Sequence, residues 1–89
     1  MSETKFFTYF SDPAHGWVKV KKELLKQLGI SDKISPYSYQ KGDYAYLEED
    51  ADASLFTREF EKQTGKLVMF NESICDGRSR IRYFQTYKA

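Results

Sequence analysis

The sequence contains very little cysteine and histidine, and this shortage excludes several kinds of small protein. Its 89 residues include one Cys and one His. An internal disulfide is therefore impossible, and no His/Cys cluster has the spacing of a zinc site. We expect a single domain over residues 1–89 with a small core, without metal or cofactor, in a reducing, cytoplasmic compartment.

Long apolar runs are also missing. No stretch approaches the ~18 residues of a membrane-spanning helix, and the first five residues lack the apolar core of a signal peptide. Hydrophobic residues nevertheless make up 40 % of the chain and aromatic residues 17 %, which is typical of a folded protein. We expect a protein that is neither exported nor bound to a membrane.

The chain as a whole has no excess of charge of one sign, but its segments do. The formal net charge is +1, whereas the balance is +3 over residues 1–41, −6 over 42–61 and +4 over 62–89. This split predicts oppositely charged surface regions, unless folding places the charges side by side. A domain near neutrality lacks the usual electrostatic footprint of a nucleic-acid-binding protein.

Strand-type and helix-type segments follow one another in the order ββα-ββα-ββ. This order predicts an α+β domain in which two helices cover one face of a mainly antiparallel sheet of about five to six strands. We expect 66–70 to be a buried strand paired with 79–87, and Asp50 or Asp52 to cap the second helix. The expected strands are 5–10, 17–20, 37–40, 44–48, 66–70 and 79–87. The first expected helix is 22–28, and the second follows its cap, carries Ala53, Phe56 and Phe60 on one face and ends at Thr64-Gly65.

A tyrosine-rich hairpin is expected around residues 41–43. Tyr37, Tyr39, Tyr44 and Tyr46 alternate along its two strands. Tyrosine combines apolar area with a polar tip and is enriched at interface centres. The tyrosines could form a recognition surface, or one face of them could pack under the helices. Exposed tyrosines could also serve a homodimer.

The acidic cluster Glu48-Glu49-Asp50-Ala51-Asp52 precedes the second expected helix. Carboxylates at a helix start meet free backbone N–H groups and the positive end of the dipole. The alternatives are contact with a partner and metal binding, but the cluster lacks the spacing of a calcium-binding loop. His15, the single histidine, also has two interpretations. Asp12 could orient its ring as a general acid or base, or the ring could hold a turn with Trp17 packed beneath it.

The basic segment around Arg80 has three interpretations. Strand alternation would place Arg80 and Arg82 on one face, with Phe84 next in line. These arginines could pair internally with Glu48, Glu49 or Asp52, contact a protein partner, or bind nucleic acid. The nucleic-acid alternative would use six basic residues: Lys19, Lys21, Lys22, Arg78, Arg80 and Arg82.

Five segments spread over nearly the whole chain form a recognisable pattern. They are His15-Gly16-Trp17-Val18-Lys19-Val20, Leu28-Gly29-Ile30 with Asp32-Lys33-Ile34-Ser35, Tyr37-Ser38-Tyr39 with Gly42-Asp43, Tyr46-Leu47-Glu48-Glu49-Asp50, and Ser79-Arg80-Ile81-Arg82. With them the chain resembles a group of small, uncharacterised proteins carried by bacteriophages and plasmids. The resemblance brings no catalytic residues. It implies a setting in which small proteins bind host or competing proteins, including inhibitors of restriction and CRISPR systems.

We therefore expect a non-enzymatic binding protein of mobile-element origin that occupies a surface of a bacterial protein, with a defence system as one such target. The alternative is a small nucleic-acid-binding protein that uses the six basic residues. The expected protein contacts are Tyr37, Tyr39, Tyr44, Glu48, Glu49, Arg80 and Arg82.

Overall fold

A six-stranded sheet organises the part of the chain that the computed structural model describes, residues 3–77 and 79–89. Its strands are β1 (Thr4–Ser11), β2 (Gly16–Lys21), β3 (Tyr39–Lys41), β4 (Tyr44–Glu48), β5 (Leu67–Ile74) and β6 (Gln85–Thr86), with helices α1 (Lys22–Gln27) and α2 (Asp52–Thr64). The strand order is β5-β1-β2-β4-β3-β6, and only the β1–β5 pairing is parallel. The expected α+β fold and its ββα-ββα-ββ order are confirmed.

Both helices cover one face of the sheet and enclose the main core. α2 buries Ala53, Phe56 and Phe60, as the spacing of these residues predicts. The Phe56 ring is fully buried and meets the Phe7 ring edge-on, with 5.0 Å between centroids. Neither helix in the described ranges is long and apolar enough to cross a membrane. The core residues are Val18, Val20, Leu25, Leu28, Ile30, Ile34, Ala45, Leu47, Ala53, Phe56, Phe60, Val68 and Tyr87.

The tyrosines of the β3–β4 hairpin lie on the other face of the sheet. Side chains alternate along a strand, so Ala45 and Leu47 join the core under the helices while Tyr44 and Tyr46 point away from it. A short 3₁₀ helix at Arg80–Tyr83, with the residues after it, covers part of this second face. Ile81 and Trp17 are buried there with Tyr46 in a smaller cluster.

The expectation that 66–70 is a buried strand paired with 79–87 is wrong. β5 runs parallel to β1 at one edge of the sheet, and Val68 is its only buried residue. The segment after Ser79 instead forms the 3₁₀ helix and then β6, which pairs with β3 at the opposite edge. The Ser79 side chain accepts a hydrogen bond from the Ile81 N–H, and such local bonds compete with strand pairing.

The β3–β4 hairpin forms where it was expected, and its turn depends on glycine. Gly42 has a φ of +59°, a left-handed conformation that side chains with a Cβ rarely adopt. Asp43 in the same turn accepts a backbone hydrogen bond from Lys22, at 2.9 Å. This bond fixes the hairpin against the start of α1. The tight turn sets the register of the two strands, in which Tyr39 lies opposite Tyr46.

Candidate functional site

A cleft of about 390 Å³ opens on the second face, between the β1–β2 turn, the end of β4 and the C-terminal 3₁₀ helix. The sheet register creates it, because Trp17 at the start of β2 lies opposite Glu48 at the end of β4. We call it the aromatic cleft. Its lining residues are His15, Trp17, Tyr37, Tyr39, Glu48, Asp50 and Arg82.

Aromatic rings form the floor and the rim of the aromatic cleft. Trp17 is only 2 % exposed and forms the floor. The His15 ring lies 6.1 Å from the Trp17 ring and the Tyr39 ring 6.3 Å from it, measured between centroids. Tyr37 at the rim is 77 % exposed. The exposed rings of His15 and Tyr37, held around this floor, offer a partner an apolar contact with little reorganisation.

Arg82 borders the aromatic cleft and is held by Asp12, an arrangement we call the Asp12–Arg82 clasp. Arg82 Nε donates to Asp12 Oδ2 at 2.6 Å and Nη2 to Oδ1 at 3.0 Å. The guanidinium carbon lies 5.7 Å from the centroid of the Trp17 ring. The two-pronged pairing fixes the plane of the guanidinium. The clasp therefore ties the C-terminal segment to the first hairpin.

Asp12 accepts three hydrogen bonds besides those from Arg82. The N–H groups of Ala14 and His15 donate to Oδ1, and the N–H of Ser79 donates to Oδ2. Arg82 first, and these backbone donors after it, hold the Asp12 pKa well below its usual range, although burial opposes them. The proposed orientation of His15 by Asp12 is wrong, because both Asp12 oxygens already have these partners. The carboxylate holds the turn through backbone N–H groups.

Glu48 stabilises the turn that leads into α2. Its two carboxylate oxygens accept from the N–H groups of Asp50 and Ala51, at 2.9 and 3.2 Å. The expectation that Asp50 or Asp52 caps α2 is wrong: the residue before the helix is Ala51, without a side-chain cap bond. We expected acidic side chains of this cluster to bind free backbone N–H groups at the helix start, and this is confirmed for Glu48.

Asp52 is buried and serves the fold. Its Oδ2 accepts from Ser35 Oγ at 2.6 Å, from Ser38 Oγ at 2.5 Å and from the Ser35 N–H at 3.0 Å. Ser38 Oγ in turn accepts from the Glu48 N–H. This network holds β4 against the segment before β3, and with it the walls of the aromatic cleft that carry Tyr37 and Glu48.

Glu49 points away from the aromatic cleft, towards the helix-covered side. Its Oε2 accepts from the Tyr9 hydroxyl at 2.5 Å. Burial first, and then the Glu49 bond and charge, raise the pKa of Tyr9 to about 12. The Tyr9 hydroxyl sits directly against Gly16, where an added Cβ would lie 2.0 Å from it. Gly16 is thus required by the close approach of this tyrosine.

The structure brings together four of the seven expected contact residues: Tyr37, Tyr39, Glu48 and Arg82 line the aromatic cleft. The other three lie elsewhere. Tyr44 is farther along the same face beneath Lys19, whose Nζ is 4.2 Å from its ring centroid. Glu49 binds Tyr9, and Arg80 lines a separate groove.

Sequence reasoning missed three residues of the aromatic cleft: His15, Trp17 and Asp50. The first two were assigned to holding a turn, and Asp50 to capping a helix. The short β1–β2 connection was the available signal, because it carries His15 and Trp17 to the end of the sheet where β4 ends.

The six basic residues of the nucleic-acid alternative do not form one described patch. Lys21 and Lys22 line a depression that also contains Glu23 and Asp43. Arg82 belongs to the clasp, so the expected pairing of this arginine with Glu48, Glu49 or Asp52 is wrong. Placing Arg80 and Arg82 on a strand is also wrong, since both belong to the 3₁₀ helix. Arg78 lies outside the described residues.

The aromatic cleft combines aromatic rings with the carboxylates of Glu48 and Asp50. The Asp12 carboxylate beside the cleft is held by Arg82 and by backbone N–H groups, which favours its charged form. Aromatic faces beside carboxylates attract guanidinium and ammonium groups. Comparisons with protein-family models, curated proteins and solved structures found no match to this chain. Function is therefore inferred from the aromatic cleft itself.

Proposed function

We propose that this protein is a non-enzymatic binding protein of bacteriophage or plasmid origin, acting in the bacterial cytoplasm on a partner protein. The aromatic cleft is the contact site. The observation that carries the proposal is the buried Trp17 floor beneath His15, Tyr37 and Tyr39. Trp, Tyr and Arg are the residues that most often dominate the binding energy of protein interfaces.

The charges of the aromatic cleft favour a cationic side chain of the partner. Arg82 is neutralised by Asp12 at 2.6 Å. Among the described residues, neither Glu48 nor Asp50 has an ion-pair partner in the structure. An Arg or Lys side chain that enters beside the exposed Tyr37 ring would meet both carboxylates and an aromatic face.

The aromatic cleft is also organised before binding. The Asp12–Arg82 clasp fixes its C-terminal wall, and the Asp52 network fixes the strand that bears Glu48. A preformed site loses less conformational entropy when a partner binds. The resemblance to proteins of mobile elements makes a component of a defence system, such as a restriction or CRISPR system, the first target to test.

The first experiment captures partners from a bacterial lysate with the tagged protein, with half of the lysate treated with nuclease, and identifies them by mass spectrometry. A specific protein retained in both halves supports the proposal. The Tyr37→Ala variant should retain it about tenfold less or worse, because a truncated hot-spot aromatic typically costs at least that much. Retention of the same protein in full by Tyr37→Ala and Tyr39→Ala would contradict the proposal.

Three further variants make the experiment specific. Tyr83→Ala is the matched control, because Tyr83 is 74 % exposed against 77 % for Tyr37 and lies outside the aromatic cleft. Asp50→Asn tests the charge argument: it removes a carboxylate from the cleft and leaves the Asp50 N–H on Glu48. We expect Asp50→Asn to weaken capture several-fold and Asp32→Asn, an exposed aspartate elsewhere, to leave it unchanged.

A second candidate function rests on a different groove of about 600 Å³. It combines Lys41 and Arg80 with the rings of Tyr83 and Phe84, and Lys41 Nζ lies 5.0 Å from the Phe84 ring centroid. None of the described residues that line it is acidic. Cations interleaved with aromatic rings are the chemistry of single-stranded nucleic-acid binding.

Salt dependence tests this second candidate. Binding of a fluorescent single-stranded oligonucleotide should weaken steeply with salt, because neutralised phosphates release counterions. Lys41→Glu and Arg80→Glu should reduce both affinity and the salt slope, whereas Tyr37→Ala should leave them unchanged. Absent or salt-insensitive binding would remove this candidate.

A further inference from the structure

The free edge of β5 combines apolar side chains with unpaired backbone groups. β5 is the end strand of the sheet and spans eight residues. Met69 is 49 % exposed and Ile74 73 %, and Phe6 beside Met69 on β1 is 54 % exposed. A long, apolar edge strand of this kind readily pairs with another chain.

The hydrogen bonds already made identify which backbone groups of β5 face outward. The Leu67 N–H donates to the Glu3 carbonyl and the Cys75 N–H to the Ser11 carbonyl, both at 2.8 Å. In a parallel pair, alternate residues bond to the same neighbour. The odd-numbered residues of β5 therefore bond to β1, and the N–H and C=O groups of Val68, Phe70, Glu72 and Ile74 point away from β1. Of these groups, the Val68 N–H donates to the Glu61 side chain.

We infer that β5 pairs antiparallel with β5 of a second copy of this chain, with Met69 on the two-fold axis. In this register Val68 lies opposite the second Phe70, and Leu67 opposite the second Asn71. Lys66 then lies opposite the second Glu72, so that opposite charges meet twice in each dimer. This interface is separate from the aromatic cleft and does not depend on the proposed function.

The charges select this register over its neighbours. Moving the axis to Phe70 would place Lys66 opposite Ile74 and Glu72 opposite Val68. An axis at Glu72 would place the two Glu72 carboxylates together, which is destabilising for directly opposed like charges. Only the Met69 register places an acidic residue of β5 opposite Lys66.

The apolar side chains become continuous across the axis in the same register. Phe6 and Met69 are paired on β1 and β5. On the face of the sheet away from the helices, the row across the axis is therefore Phe6, Met69, the second Met69 and the second Phe6. On the helix-covered face Val68 meets Phe70. Two existing contacts are affected. The Val68 N–H donates to Glu61 Oε2 at 2.8 Å, and it transfers to the carbonyl of the second Phe70. Lys66 Nζ lies 3.7 Å from Glu3 Oε2, and in the dimer this exposed ammonium group lies between Glu3 and the second Glu72.

Disulfide trapping tests the register. In a Cys75→Ser background, Met69→Cys places two cysteines at the axis in a pair without direct backbone bonds, where Cα atoms are about 4.5 Å apart. That separation fits a disulfide. Asn71→Cys is the matched control on the same strand face, because its two copies would lie roughly 13 Å apart. We expect rapid oxidation to a dimer for Met69→Cys and little for Asn71→Cys; the reverse result, or none for either, overturns the register.

Charge reversal tests the dimer without any cross-link. Sedimentation of the wild-type chain over a range of concentrations should show a monomer–dimer equilibrium. Lys66→Glu and Glu72→Lys should each weaken dimerisation about tenfold, because each creates two like-charge pairs in the dimer. The double variant Lys66→Glu/Glu72→Lys should restore it. A wild-type chain that stays monomeric at all concentrations, or a double variant no better than the single ones, would overturn the proposal.

Discussion

The two faces of the sheet are built in different ways. The helix-covered face is filled by aliphatic and phenylalanine side chains, with Phe56 fully buried at its centre. The opposite face holds a small cluster of Trp17, Tyr46 and Ile81 beneath a short C-terminal segment. That segment is held by the Asp12–Arg82 clasp, whose partners are 70 residues apart in the chain.

The difference separates a face that supplies apolar burial from a face on which we propose that a partner binds. Apolar burial on the helix-covered face is non-directional and supplies most of the folding free energy. On the second face, rings and charges are oriented by hydrogen bonds and remain accessible around the aromatic cleft. A small domain can thus leave aromatic rings such as Tyr37 exposed beside the aromatic cleft, because its stability does not depend on hiding them under the helices.

The largest expected effect tests the helix-covered face. Phe56→Ala should lower the free energy of unfolding by about 3–5 kcal/mol, because it leaves a cavity among Phe7, Phe60 and their neighbours. Ile81→Ala, on the second face, should cost about 2 kcal/mol, since a small cluster near the surface relaxes more readily. Urea denaturation followed by circular dichroism measures both. An equal cost for the two variants would remove the distinction between the faces.

The next effect concerns the contact of Gly16 with Tyr9. Gly16→Ala should lower the free energy of unfolding by roughly 1–3 kcal/mol, as overpacking does, because the new methyl group displaces the Tyr9 ring from Glu49. Gly77→Ala is the control, since an added Cβ there meets no atom within 4 Å. Urea midpoints of the two variants provide the comparison. A neutral Gly16→Ala would show that Tyr9 moves away freely.

Acid titration examines the Asp12–Arg82 clasp. The Asp12 pKa is lowered in the folded protein, chiefly by Arg82. Its stabilisation is therefore fully present above the unfolded value of about 4 and is lost as the pH falls below it. Asp12→Asn should have a lower free energy of unfolding than wild type at neutral pH. This difference in free energy should become smaller below about pH 4. A constant gap in urea midpoints between pH 7 and pH 3 would contradict this.

The smallest effect lies at alkaline pH and belongs to Tyr9. Its pKa is raised to about 12, mainly by burial, so its contribution to stability is complete below pH 10 and is lost as the pH rises from about 10 towards 12. Burial also raises the pKa of Tyr46, so tyrosinate absorbance should show two tyrosines that ionise late, and Tyr9→Phe should remove one of them. Simultaneous ionisation of all tyrosines in the folded protein would contradict the Tyr9–Glu49 bond.

Local patterns determined what could be predicted from the sequence. The spacing of Ala53, Phe56 and Phe60 identified α2, and alternation around Gly42 identified the hairpin of β3 and β4. The partner of β5 could not be predicted, because strand pairing depends on contacts distant in sequence. The apolar run 66–70 is typical of a buried strand, yet it lies at a sheet edge.

The candidate site was predictable only in part for the same reason. Tyr37, Tyr39 and Glu48 were identified by residue type and lie in the aromatic cleft. Arg82 was identified too, but on a strand rather than a 3₁₀ helix, because the alternation of residues 80–84 fits both. The role of Trp17 as the floor required the β2–β4 register, which no local pattern contains.

The most direct test of the account maps the surface that the captured partner covers, using amide hydrogen exchange on the free protein and on the complex. We expect added protection at the β1–β2 turn near His15, at Tyr39 and at the Asp50 and Ala51 amides, which surround the aromatic cleft. Protection confined to the β5 edge, or to the groove of Lys41 and Arg80, would contradict the claim that the aromatic cleft is the binding site.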